Sequence, residues 1–304
     1  MEEFMKVVTI FLALLGLTQT ASATWLAPEE IRTDLKPVSP LLSNTTEEEF
    51  RRVIRELQAI YAPIATMHGG KLSISGEWKS ETLNAGAAQM FGNWQVKITG
   101  GLARRPELTT DAFTLILCHE LGHHFGGFAI GPAQNPMEKP WAANEGQADY
   151  FATQVCAKKI WGGDQAKNAE FRRNVSPKIQ SRCDPVWENR EDQDLCYRVL
   201  TAVESLTATM AVLMKKPIPD LDTPDVSVVE KTSHKHPQPQ CRMDTAKEGA
   251  LCLSLFNDSV IPGKKSPGGI EGIEAEKDAA KYSCTTYMNH SVGVRPACWF
   301  KSRL

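Results

Sequence analysis

The sequence predicts an α+β fold, mostly helical, with a small three-stranded antiparallel sheet and a disulfide-tied C-terminal appendage. Three observations lead there. Apolar residues recur at helical spacing from Phe50 to Ile64, from Phe113 to Phe125 and from Leu195 to Leu213. Between residues 72 and 99, three short segments carry strand patterning, with Gly92-Asn93 as a turn signal between the last two. Eight cysteines lie in the later two-thirds of the chain, an even count that suits disulfides.

The bulk properties bound the function. A chain of 304 residues, 42% hydrophobic and 23% charged, can bury a sizeable core as one large domain or two small ones. A net charge of −2 leaves no basic excess to attract nucleic acid or an anionic membrane. Near the start, Lys6 precedes an apolar run from Val7 to Leu17, and Ala21-Ser22-Ala23 follows as an A-x-A site. That pattern predicts a secretory signal peptide over residues 1–23, cut before Thr24, and export to a periplasm or the cell exterior. The run is too short for a membrane span.

Taken in order, Thr24 to Ser43 carries three prolines and reads as an extended lead-in. Thr46 and Glu49 form a capping box that opens the first helix, which Gly69-Gly70 ends. Strands are expected at Leu72–Lys79, Leu83–Gln89 and Trp94–Thr99, the last as the upper edge of a cleft where an extended peptide can add. Thr109-Thr110-Asp111 offers N-caps for an apolar helix that Gly126-Gly127 stops. After a proline-containing loop, a second helix starts near Asn144. Asp164 to Arg182 is a polar helical stretch, and Asp192 to Lys216 a long amphipathic helix whose charges, Glu204 among them, argue against a membrane span. A short helix is expected from Met243 to Phe256. The domain reading is a catalytic unit over 24–256 and a cysteine-containing extension over 257–304.

The apolar helix contains His119-Glu120-Leu121-Gly122-His123. A helix turns about 100° per residue, so His119 and His123 share a face and can share one metal ion, with Glu120 placed to hold a water. This is the pattern of a zinc-dependent peptidase. Such a site needs a third protein ligand and leaves one position to water. Glu145, on the second helix, supplies the ligand. Asp149, one turn later, can accept the other N–H of a ligand imidazole and fix its tautomer. Cys118 and His124 are turned about 100° off the ligand face. Cys183 and Cys196 suit a local disulfide, whereas Cys241 and Cys252 sit too far apart along a helix.

His119-Glu120-x-x-His123 together with Glu145-x-x-x-Asp149 resembles the gluzincin metallopeptidases, and more narrowly the M48 family with its HtpX-like members. Asn84-Ala85, Gly101-Leu102 and Glu107-Leu108 resemble that family's approach to its zinc helix, and His236-Pro237-x-Pro239-x-x-Arg242 its downstream segment. The likeness runs from Leu83 to Arg242. It implies a zincin-like fold with the sheet beside the zinc helix. It also implies that His236 stabilises the oxyanion or caps zinc at rest, and that Arg242 supports the site or binds substrate backbone. The interval from His123 to Glu145 is short for the family, and the cysteine-rich C-terminus is foreign to it.

The expected function is that of an exported endopeptidase holding one Zn2+, acting on protein or peptide substrates, with no transmembrane segment in the mature chain. Glu120 is its general base, taking the water proton and passing it to the leaving amine. The alternative from another class is a latent or non-catalytic envelope factor that keeps the zinc site but binds or chaperones partners. A disulfide-rich binding module carrying an accidental motif would bind no metal.

Overall fold

The capping box forms as the sequence expects and sets the first helix on the sheet. In the computed structural model, which describes residues 22–39, 43–133, 139–267 and 272–304, strand β1 is Ser22–Thr24, helix α1 Glu47–Met67, β2 Lys71–Glu77, β3 Ala85–Met90 and β4 Asn93–Thr99. The expected signal-peptide run lies outside the described residues, and the expected cleavage bond, Ala23–Thr24, falls within β1. Thr46 accepts from the Glu49 N–H, while the Glu49 carboxylate accepts from the Thr46 N–H at 2.8 Å. The helix then buries Phe50, Val53, Leu57, Tyr61 and Ile64 along one stripe.

The sheet departs from the expected three antiparallel strands. It has four, in the order β1-β3-β4-β2, and β2 runs parallel to β4. The hairpin β3–β4 is local: Phe91 and Gly92 both take positive φ, the requirement of a two-residue type I′ turn. The place of β2 is decided by α1. The Gln58 side chain of α1 donates to the Leu72 carbonyl and accepts from the Ile74 N–H, while Leu72 and Ile74 face the core. The chain then passes β4's position before returning, so β2 and β4 point the same way. This corrects a second expectation: Trp94–Thr99 is a central strand, with Val96 and Ile98 fully buried, and not a cleft edge.

A short helix α2, Gly100–Ala103, leads to α3, Thr110–Phe125. Thr109 caps α3 by accepting from the Ala112 N–H, and every residue from Ala112 to Phe125 is buried. A helix apolar on all sides belongs in the middle of a protein. Helix α4, Glu145–Phe151, continues through a π-helical turn, Ala152–Cys156, into α5, Ala157–Trp161. The polar stretch after it forms two helices, α6 Gln165–Phe171 and α7 Pro177–Cys183. The long helix α8, Arg190–Met214, is apolar enough by length and composition to cross a membrane, but two-thirds of its apolar window (67%) is buried against the rest of the chain. Helix α9, Pro239–Leu251, begins four residues before the expected Met243 because Pro239 takes its first turn, where no N–H is needed. Helix α10 is Ile273–Ala280.

All eight cysteines are paired. Cys183–Cys196 is the local closure the sequence suggests. Cys241–Cys298 and Cys252–Cys284 anchor the C-terminal segment to both ends of α9. That segment packs against the functional helices: Trp299 is buried, and Arg295 donates to the Gln147 side chain at 2.7 Å. Cys118–Cys156 staples α3 to the π-helical turn behind α4 and closes a loop with a sequence separation of 38. Replacing both Cys118 and Cys156 with Ala should lower stability by about 3–4 kcal/mol on chain-entropy grounds. Urea unfolding checks this, and an unchanged midpoint would show the staple is not needed.

Candidate metal centre

The site is made where α3 crosses α4. A Cβ on Gly122 would stand 2.8 Å from the Ala148 backbone, so the glycine between the two motif histidines lets the helix axes come close. Asn144 caps α4 by accepting from the Gln147 N–H, which starts the helix at Glu145 and aims its first turn at α3.

His119 Nε2 lies 3.2 Å from Glu145 Oε2, and His123 Nε2 lies 3.7 Å from Glu145 Oε1. Three ligand atoms at about 2.1 Å from one tetrahedral ion stand about 3.4 Å apart. These residues therefore form a group that could hold a metal ion. The orphaned atoms point the same way. His119 Nε2, His123 Nε2, Glu145 Oε2 and both carboxylate oxygens of Glu120 are buried and make no hydrogen bond. Buried polar atoms left like this are costly unless something else satisfies them.

Partners on the far side fix each imidazole. His119 Nδ1 lies 2.8 Å from Asp149 Oδ1, and His123 Nδ1 lies 2.7 Å from the Ala143 carbonyl. A carbonyl can only accept, so His123 carries its proton on Nδ1 and turns an unprotonated Nε2 toward Glu145. The ionised Asp149 likewise accepts the Nδ1 proton of His119. Arg242 grips Asp149 in a fork, Nε to Oδ2 and Nη2 to Oδ1, both at 2.7 Å. It is 1% exposed and also donates to the Trp25 carbonyl.

The charges in this pocket are strongly displaced. Burial works against a charge on His119, but Asp149 beside it prevails and pushes its pKa up to about 9. His123 is driven by burial down to about 4, with Glu145 only partly opposing the fall. Burial pushes Glu120 up to about 8, with Glu145 adding to the rise and His119 and Arg242 opposing it. Burial would raise Glu145 too, but His123, His119 and His236 hold it down at about 2. Asp149 is held equally low, chiefly by Arg242 against its burial.

His236, from the loop before α9, reaches the same spot. Its Nε2 is 3.4 Å from Glu145 Oε1 and donates to the Thr24 carbonyl at 2.8 Å. Its Nδ1 lies 3.9 Å from Glu30. The structure thus brings His119, Glu120, His123, Glu145, Asp149, His236 and Arg242 together. Cys118 is turned away into its disulfide. His124 is buried, stacked between Trp94 and Trp141, and bonded to the Gln95 carbonyl. Asp225 lies near Cys241 and Cys298, but those two sulfurs are bonded to each other and offer no ligand.

Compared with protein-family models, curated proteins and solved structures, the chain matches none. What it does must be read from this geometry. Three participants have no signal in the sequence: the Ala143 carbonyl, which orients His123, and Thr24 and Trp25, which meet His236 and Arg242. Backbone carbonyls carry no residue-type signature, and the segment from Thr24 to Ser43 reads only as a lead-in.

Proposed function

We propose that the protein is an exported zinc endopeptidase of the gluzincin kind, similar in its site to the M48 family. The observation that carries this reading is the buried group of His119, His123 and Glu145, whose ligand atoms lie within 4.8 Å of one another while an atom of each makes no hydrogen bond. Two neutral imidazoles and one carboxylate are the donor set of a catalytic zinc site, which keeps one position open. The four disulfides suit an oxidising compartment and so favour export.

Zinc bound there supplies a Lewis acid for the scissile carbonyl and acidifies the attacking water. Glu120, beside the ligands and free of other hydrogen bonds, takes the proton of that water and delivers it to the leaving amine. His236 carries its proton on Nε2, since it donates to a carbonyl, and is placed to do the same for the oxygen on which charge develops. Asp149 and Arg242 keep His119 in the ligating tautomer. The latent-factor reading takes His236 as a fourth ligand; with Nε2 donating to Thr24, that atom has no lone pair to give unless the bond breaks.

Zinc titration tests the reading. The full chain should take up one ion, and in the chain cut before Thr24 zinc should restore casein hydrolysis after chelation. His119 holds a proton up to about pH 9 in the metal-free site, so binding must expel it. Apparent affinity should therefore rise about tenfold per pH unit from about pH 6 to 8 and level off near 9. Calorimetry in two buffers reads the released proton. A chain that binds no zinc overturns the proposal.

A further inference from the structure

The backbone at Thr24–Trp25 lies against the candidate metal centre. β1 pairs antiparallel with β3, Ser22 opposite Ala88, Ala23 opposite Ala87 and Thr24 opposite Gly86. One residue on, the Trp25 N–H donates to the Ala85 carbonyl at 3.2 Å. The N–H and C=O of one trans peptide point opposite ways. The Thr24 carbonyl therefore turns from β3 toward α3 and α4, where His236 Nε2 meets it at 2.8 Å. The next carbonyl, that of Trp25, is taken by Arg242.

Two further features show a groove shaped for a chain. A Cβ on Gly86 would stand 2.9 Å from the Ala23 carbonyl, so glycine lets the backbone of β1 lie flush on β3. The Trp25 side chain is 1% exposed, sunk in the main core with the Arg242 guanidinium 5.9 Å from its ring.

We infer that the edge of β3 is the peptide-binding groove of this site and that its occupant here is the chain's own N-terminal segment, Ser22 to Trp25. The segment runs antiparallel to β3, with a small polar residue, Thr24, before the peptide at the site and an aromatic one, Trp25, after it. An external peptide of that kind, adding antiparallel to β3, can enter only when β1 leaves. Cleavage before Thr24, which the A-x-A site predicts, would remove Ser22 and Ala23, two of the three residues paired with β3, and so loosen the occupant. The inference rests on the endopeptidase reading for its consequence.

The test uses binding, so that it does not depend on hydrolysis. The probe is a fluorescein-labelled Ser-Ala-Thr-Trp-Leu-Ala peptide, blocked at both ends, titrated into the zinc-loaded full chain carrying Glu120→Gln. Adding Ala23→Pro removes a donor opposite Ala87 and should release β1. The released chain should bind the probe about tenfold tighter or better. Equal affinities, or no binding to either chain, overturn the inference. If Ala23→Pro does not fold, amide exchange on the chain without it decides. Saturating probe should deprotect residues 22–26, and continued protection there overturns the inference as well. Failure of the peptidase reading appears separately, as absent zinc, or as absent casein hydrolysis even when Ala23→Pro has released β1.

Discussion

Replacing Glu120 with Gln should cut casein hydrolysis by about 100- to 10,000-fold while the chain still binds one zinc ion. The carboxylate makes no hydrogen bond that an amide would break, and it is not among the ligand atoms, so the amide should leave the fold and the metal ligands in place. The comparison should be made in the intact chain and again with Ala23→Pro, where the groove is open to substrate. A pH signature accompanies the loss. Burial raises the Glu120 pKa from 4.5 to about 8. The unfolded chain thus releases this proton at a lower pH than the folded chain does. Metal-free wild type should lose stability relative to Glu120→Gln as pH rises from about 4.5 to about 8, and the difference should hold above that. Urea midpoints across that range check the sign. Hydrolysis at the wild-type rate by Glu120→Gln would falsify its role as the base.

Arg242→Met should be the most damaging single change to stability, at about 3–5 kcal/mol. The methionine fits a similar volume but leaves the Asp149 carboxylate, 3% exposed, with His119 as its remaining charge partner. It also strands the Trp25 carbonyl, which Arg242 satisfies. Zinc affinity should fall about 10- to 100-fold, because Asp149 no longer holds His119 firmly. Arg242→Lys keeps the charge without the fork and should recover part of the stability and little of the zinc affinity. Both are read by urea unfolding and competitive zinc titration. A chain with Arg242→Met that unfolds at the wild-type midpoint would show that Asp149 needs no cation.

Much of the site is legible because it is written on two helices. His119 and His123 are four apart and Glu145 and Asp149 are four apart, so each pair must share a face wherever the helices go. Caps at Thr109 and Asn144 mark where those faces begin. Arg242 and His236 stand out through the resemblance alone, since a loop histidine and a buried arginine carry no period. Cys118 illustrates the reverse: helical phase excludes it as a ligand, but only the fold reveals that it is bonded to Cys156.

The strands divide differently. The sequence by itself determined that three segments between residues 72 and 99 are extended and that the last two are joined by a tight turn. Strand alternation and turn residues are local, so they survive without knowledge of the fold. Only the tertiary structure decided that β2 runs parallel to β4, that β4 is central, and that Ser22–Thr24 covers the edge of β3. Those are choices among backbone donors and acceptors that every strand offers alike, and they are settled by packing against α1 and by side chains far along the chain. The same holds for the metal centre. Local periodicity put the ligands on faces; the crossing of α3 and α4 at Gly122 and the long reach of Arg242 brought the faces together.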